Sequence, residues 1–278
     1  MPRIPDALSH SVVFIYANKD KAEKGAKAGG AGFVVDFKSP KSGAVHRLLV
    51  TNLHVAQGAD RVIRISTRGA GPALAPIEGH QWVAHPYDDI AVGPFPAQQP
   101  DWSVEGLDWE QWGVTQSRMM ELNMGVGDEC IMIGRFVAHD GVERNLPLAR
   151  FGNIALMPGE PVKDGRNLMV EAYLVEMRSL SGFSGSPVFV YMGPGTYRGD
   201  GRMMPFYSET IGLMGIDTGH KLTSEPVRNE DGSKSGTTVR LNTGVAIVSP
   251  SWKIAEALAE AVPRPRRATA RGRRSSPT

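Results

Sequence analysis

The segment Ser179-Leu180-Ser181-Gly182-Phe183-Ser184-Gly185-Ser186-Pro187-Val188-Phe189 sets a serine between glycines on a tight turn that feeds a strand. Such a turn exposes the hydroxyl and frees backbone N–H groups to converge on one point. Gly182 tolerates the φ that turns its N–H toward the oxygen of a bound carbonyl, and Gly185 lets a substrate backbone approach. A nucleophile beside an oxyanion hole is what acyl transfer requires. Alone, a Gly-x-Ser-Gly turn is a weak signal, because the hydroxyl needs a base and the base needs an orienting group. Upstream, Leu48-Leu49-Val50-Thr51-Asn52-Leu53-His54-Val55-Ala56 places His54 just after an apolar strand, and His85-Pro86-Tyr87-Asp88-Asp89-Ile90-Ala91-Val92 places an acid at the start of another. The chain order is His, Asp, Ser, with Asp88 and Asp89 both open as the acid.

The elements that must hold these residues read as strands. Short β-branched and aromatic runs bounded by turn formers cover 12–16, 32–37, 47–50, 61–65 and 90–92, and a second series covers 130–134, 153–156, 168–170, 187–190, 211–216 and 244–247. Two sets of about six strands predict an all-β protein of two β-barrels. The boundaries that follow are 8–105 for the first barrel with His54 and Asp89, 106–124 for the connection, and 125–262 for the second barrel with Ser184. Within the connection, 116–122 has helical composition. Near the end, Ser249 can cap a helix with Pro250 at its first position, and Trp252, Ala255, Leu258, Ala259 and Val262 recur at helical spacing. The stretch 221–238, rich in Gly, Ser and charge, reads as a long exposed loop.

Composition narrows the classes. With 278 residues, 32 glycines and 20 prolines, turns are dense and long helices have little room. The single cysteine, Cys130, excludes an intramolecular disulfide and a thiolate metal cluster, and its apolar strand argues for burial over reactivity. No apolar run reaches the length of a spanning helix, and the run at 12–17 is short for an export signal. The expectation is a cytoplasmic protein with no membrane partner. The net charge is +2, yet Arg264, Arg266, Arg267, Arg271, Arg273 and Arg274 crowd 263–278, leaving the rest mildly acidic. That tail is expected to be disordered; a nucleic acid or other anionic partner and a merely solubilising role are both open for it.

The blocks Thr51-Asn52-Leu53-His54-Val55, Asp89-Ile90-Ala91-Val92 and Gly182-Phe183-Ser184-Gly185-Ser186-Pro187 together resemble the three signature blocks of chymotrypsin-like (trypsin-like) serine peptidases. The likeness is to the disulfide-free bacterial branch that includes glutamyl endopeptidase-like and protein-quality-control proteases. Gly30-Ala31-Gly32-Phe33-Val34, Gly125-Val126-Gly127-Asp128-Glu129 and Met214-Gly215-Ile216-Asp217-Thr218 echo it over roughly residues 10–262. The resemblance implies two six-stranded antiparallel barrels, with Ser184 as nucleophile, His54 as general base then acid, and Asp89 as the group that fixes the imidazole tautomer. It selects Asp89 over Asp88 because the acid directly precedes Ile-Ala. The N–H groups of Gly182 and Ser184 would form the oxyanion hole. Where zymogen-activated relatives carry an aspartate before the serine, this chain has Phe183, so activation by N-terminal cleavage is not implied. Ser186 replaces the usual glycine two places after the nucleophile, as in the glutamyl branch.

For specificity, an ungapped carry-over puts Arg178 at the base of the primary pocket and Met214, Gly215 and Asp217 on its wall. Arg178 there would favour an acidic side chain; the competing reading turns it to solvent, and Met214 in place of the glutamyl branch's wall histidine argues against acid specificity. Ser181 and Ser186 read as hydrogen-bonding turn residues, and His10, His46, His80, His85 and His139 as exposed, with no metal-ligand spacing. No cofactor or metal is implied, and the partner is a protein or peptide substrate.

Two other functions stand beside the peptidase. An α/β-hydrolase esterase built on Ser184 with Asp217 and His220 has a suitable order, but lacks the final glycine of the nucleophile elbow and the alternation of strands with long helices. A catalytically silent binding protein on a peptidase fold is the third, because fold does not imply function.

Overall fold

The computed structural model describes residues 3–25, 29–57, 60–69, 71–136, 139, 141–164, 166–205 and 210–262. The arginine-rich segment 263–278 lies outside them.

The first sheet holds β1 (Val12–Tyr16), β2 (Gly30–Lys38), β3 (Val45–Thr51), β4 (Asp60–Ile65), β5 (Ala73–Glu78), β6 (Val83–Ala84), β7 (Ala91–Pro94) and β8 (Leu107–Asp108). Its order is β5-β4-β1-β2-β3-β7-β6, all antiparallel, with β8 added in parallel to β2. The second set is β9 (Glu129–Gly134), β10 (Leu148–Leu156), β11 (Val162–Lys163), β12 (Met169–Val170), β13 (Tyr173–Glu176), β14 (Pro187–Met192), β15 (Thr210–Arg228) and β16 (Lys234–Pro250). Six of these close into a barrel in the order β10-β13-β16-β15-β14-β9, while β11 and β12 form a separate hairpin. The helices are α1 (Asp6–His10), α2 (Lys19–Glu23), α3 (Leu53–Ala56), α4 (Trp109–Trp112), α5 (Gln116–Glu121) and α6 (Ser251–Ala261). This is the expected all-β, double-barrel, chymotrypsin-like architecture. Its first half is a half-barrel of eight strands in place of six, and its second is the closed six-stranded ring. Antiparallel ladders leave no place for an α/β-hydrolase.

Three local expectations are corrected. The run 168–170 is not a barrel strand: Met169 is exposed and pairs only with Lys163 in the β11–β12 hairpin, and the barrel place belongs to Tyr173–Glu176, paired on both sides. The stretch 221–238 is the outer part of a two-stranded ribbon in which Thr223 faces Leu241 and Glu225 faces Val239. Its Gly and charge signal a loop, but its threonines and valines suit a paired strand, and only the tip around 229–233 turns. Ser249 is a buried strand residue and not a helix cap, because β16 pairs with β15 up to Pro250, which itself takes the N-cap place of α6.

One apolar cluster crosses both halves: Phe33, Val35 and Val50 of the first sheet pack with Ile131, Ile133, Phe189 and Leu213 of the second and with Ile254 and Leu258 of α6. Each such side chain contributes roughly 1.5–3 kcal/mol on burial. The cluster fixes β3 against β14. His54 follows β3 and Ser184 precedes β14, so this packing sets their approach.

Candidate active site

His54 sits on the single turn α3, directly after β3. Its Nδ1 lies 2.6 Å from Asp89 Oδ2, and its main-chain N–H donates to Asp89 Oδ1 at 3.0 Å. A carboxylate at Nδ1 holds the proton on that nitrogen and leaves the Nε2 lone pair facing outward. The carbonyl of Asp89 accepts from Asn52 Nδ2 at 2.9 Å, so the same short block anchors both partners. The Asp89 side chain is 3% exposed and that of His54 43%. Burial pushes the Asp89 carboxyl up, but the His54 ring, the His54 N–H and the Arg166 guanidinium outweigh it and hold the group below the usual carboxylate range.

Asp88 takes a different role. It pairs with His85, which is buried and reaches Glu256 of α6 at 3.0 Å through Nε2. His85 is therefore a buried link between the Asp89 loop and the C-terminal helix, not the exposed residue expected. His10, His80 and His139 are exposed and His46 half-buried.

Ser184 arrives from the other barrel. Its carbonyl accepts the Ala31 N–H at 2.8 Å. A Cβ added at Gly30 would stand 2.8 Å from that oxygen and 2.7 Å from Val55 Cγ2, so only glycine lets the strand pass between the serine and the neighbour of His54. The Ser184 hydroxyl has no hydrogen-bond partner among the described residues; bonds of this kind commonly tighten only when substrate binds.

The preceding turn is closed by the Phe183 N–H donating to Leu180 O at 3.0 Å, with Gly182 at φ +97°. A positive φ at the third position defines a type II turn and fixes which way the Gly182 N–H points. Phe183, Gly185 and Ser186 all donate their N–H groups to protein carbonyls. Gly182 and Ser184 do not, among the described residues. Strand β15 stiffens the turn from behind: Gly185 N–H donates to Asp217 O at 3.0 Å and Asp217 N–H to Ser186 O at 2.9 Å. Phe183 is fully buried, with the Arg150 guanidinium 4.9 Å from its ring centroid. Ser181 is exposed, whereas Ser186 is buried against Gly134 with a hydroxyl that has no partner among the described residues, not the hydrogen-bonding residue expected.

The expected specificity pocket is not assembled as the ungapped reading has it. Arg178 is exposed and its charged neighbour is Arg150, so it forms no buried floor. Met214 is fully buried in the second core, with Cys130 Sγ 3.5 Å from its sulfur, and Gly215 lies under the Ser249 carbonyl. Asp217 alone of that set touches the nucleophile turn. Its carboxylate is fully buried and accepts from Ser179 Oγ at 2.9 Å. Burial outweighs the Ser179 hydroxyl, the Gly219 N–H and the charge of His54, and pushes the group up to about 7. Cys130 is buried, and burial raises its thiol far above the ordinary range.

Three contributors escaped the sequence reading: Asn52, Ser179 and Arg166, whose Nη1 lies 3.5 Å from Asp89 Oδ1. Asn52 stands inside the His54 block and Ser179 inside the serine block, which is the signal that would have found them. Arg166 sits in a polar turn with no motif. Among the described residues no three His, Cys, Asp or Glu side chains are grouped to hold a metal, and no helix is long and apolar enough to cross a membrane.

An antiparallel half-barrel and barrel with a His–Asp pair on one and a Gly-flanked serine turn on the other define the trypsin-like peptidase fold. Among solved structures the chain is similar to the MamO protease domain from Magnetospirillum magneticum in its apo form, at 14% identity over 90% of this chain and 96% of that one, with a TM-score of 0.50. It is also similar to the HtrA-type protease AlgW with a tripeptide, at 16% identity, 91% coverage and a TM-score of 0.48, spanning 61% of that chain. A further likeness is to Rv3671c from M. tuberculosis H37Rv in an inactive form, at 16% identity over 92% of this chain and 88% of that one, with a TM-score of 0.45. What is shared with the MamO protease domain at such identity is the fold. No protein-family model and no curated protein matches the chain.

Proposed function

We propose that the protein is a serine endopeptidase that hydrolyses peptide bonds through an acyl-enzyme on Ser184. One observation carries the reading: buried Asp89 engages both the ring and the main-chain N–H of His54, while the turn opposite holds two N–H groups around Ser184 that are unbonded among the described residues.

In this reading Ser184 Oγ attacks the scissile carbonyl carbon as His54 Nε2 takes its proton. The carbonyl oxygen becomes an oxyanion facing the N–H groups of Gly182 and Ser184. His54 then gives its proton to the leaving amine, the C–N bond breaks, and Ser184 carries an ester. Water, deprotonated by the same nitrogen, attacks that ester and frees the acid and the serine. Asp89 stays ionised throughout and stabilises the imidazolium. One oxyanion donor is worth on the order of 10²–10³ in rate. Gly182 at positive φ and the β15 clamp on Gly185 and Ser186 support a turn that is already set before substrate arrives.

The test is incubation of the full chain, Ser184→Ala and His54→Ala with an unstructured protein and a mixed peptide library, read by mass spectrometry. Cleavage by the wild type alone is expected. Equal cleavage by the variants, or none by the folded wild type across the library, would overturn the reading.

A further inference from the structure

A cavity of about 320 Å³ lies between the β11–β12 hairpin and the base of the β15–β16 ribbon. Lys163 and Asp164 line one wall, and His220, Lys221, Leu222 and Arg240 the other. The Lys221 ammonium donates to the Lys163 carbonyl and ties the walls together.

The electrostatics of this space are one-sided. Its one carboxylate, Asp164, is consumed locally: Oδ1 accepts the N–H groups of Arg166 and Leu168, and Oδ2 pairs with the Arg166 guanidinium at 2.9 Å. Lys163, Lys221 and Arg240 have no carboxylate partner among the described residues. Burial holds His220 below its ordinary range, so the three long cations set the sign at neutral pH.

Both walls of the cavity continue along the chain into residues that touch the catalytic constellation. The hairpin that supplies Lys163 and Asp164 lays Arg166 on Asp89, 3.5 Å away. The strand that supplies His220 and Lys221 reaches the cavity three residues after Asp217, whose main chain clamps Gly185 and Ser186. The walls of this cationic space are therefore tied through the chain to both sides of the constellation on which a peptide would lie.

We infer that the cavity is a subsite for an acidic side chain of the peptide substrate, an aspartate or glutamate near the scissile bond, read by Lys163, Lys221 and Arg240. The inference rests on the peptidase reading for the identity of the ligand, but binding does not require turnover. Ammonium and guanidinium groups recognise a carboxylate by charge-assisted hydrogen bonds, which salt screens at this partly exposed site.

The experiment measures binding of fluorescent peptides to the full-length Ser184→Ala protein at about 50 mM and about 500 mM salt. The peptides form pairs that differ only by Asp/Glu against Asn/Gln at successive positions. At one or two neighbouring positions the acidic member binds about tenfold tighter at low salt, and the preference shrinks at high salt. Lys163→Ala with Arg240→Ala, both exposed in the fold, reduces the preference severalfold while the circular dichroism spectrum and melting temperature stay unchanged. Equal affinity of the paired peptides at low salt overturns the inference, as does a preference that survives the double variant. An oligonucleotide of matching charge that competes as well as the peptide also overturns it, by showing a general polyanion surface. A folded wild type that leaves a fluorophosphonate unreacted while the acidic preference persists would instead sink the peptidase reading and leave an anionic-peptide site.

Discussion

Arg166 of the second barrel places its Nη1 3.5 Å from Oδ1 of Asp89, the same oxygen that accepts the main-chain N–H of His54. The His–Asp pair is thus held from both halves of the molecule. A fixed cation here helps to hold the Asp89 carboxyl below the usual carboxylate range. Arg166→Ala removes part of that hold, so its melting temperature is expected to fall below that of the wild type at pH 7, with the gap shrinking as the pH drops below about 4 and closing with Arg166→Lys. A gap that does not change with pH would show that the guanidinium only packs the hairpin.

Asp89→Asn keeps the size of the side chain but removes the acceptor that fixes the ring tautomer. Turnover is expected to fall by ~10⁴ with KM little changed. A stability signature accompanies it. Because the folded state holds the Asp89 carboxyl below its unfolded value, this group stabilises the fold above about pH 4, the ordinary carboxylate range, and loses that contribution as the pH falls through the folded value. Melting curves of the wild type should therefore drop more steeply below pH 4 than those of Asp89→Asn.

Gly185 stands at φ +86°, and an added Cβ would lie 2.1 Å from the Ala31 carbonyl oxygen and 2.6 Å from Thr51 Oγ1. Neither backbone nor strand β2 can yield cheaply. Gly185→Ala is expected to cost roughly 3 kcal/mol or more and to abolish activity, whereas Ser184→Ala abolishes activity with a melting temperature near that of the wild type. Chemical denaturation of the two variants measures the contrast.

Asp217 carries the opposite pH signature to Asp89. Burial raises its folded value to about 7, so the folded state holds a proton that the unfolded chain releases near pH 4. Its contribution is fully present below the unfolded value and is lost as the pH rises from about 4 through 7. Asp217→Asn, which keeps an acceptor for Ser179 Oγ, should flatten this dependence and raise the melting temperature relative to the wild type more at pH 8 than at pH 5.

How far the sequence reaches depends on how local each determinant is. His54, Asp89 and Ser184 sit in short blocks whose neighbours, Thr51, Asn52, Gly182 and Gly185, serve the same turn, so type and spacing carry them. The buried strands of both halves announce themselves by continuous apolar runs. Arg166, by contrast, reaches Asp89 only because the β10–β13 connection folds a hairpin across the barrel, and no local pattern encodes that path. His85 looked exposed because its partners, Asp88 and Glu256, meet it only once α6 docks. For the pocket, the exposed Arg178 matches the reading that turns it to solvent, and register decides the wall: the pairing of Pro187 with Ile216 and of Ser186 with Asp217 puts Asp217, not Met214, behind the nucleophile turn. Of the β15–β16 ribbon only the outer part, 221–238, carries a loop signal, because its glycine and charge outweigh its threonines and valines.

The most direct measurement is reaction of the purified full-length protein with a fluorophosphonate, followed by intact mass and peptide mapping beside Ser184→Ala and His54→Ala. The account predicts one adduct, on Ser184, absent from both variants. A folded wild type that stays unmodified, or an adduct that maps to another residue or persists in His54→Ala at the wild-type rate, would contradict it.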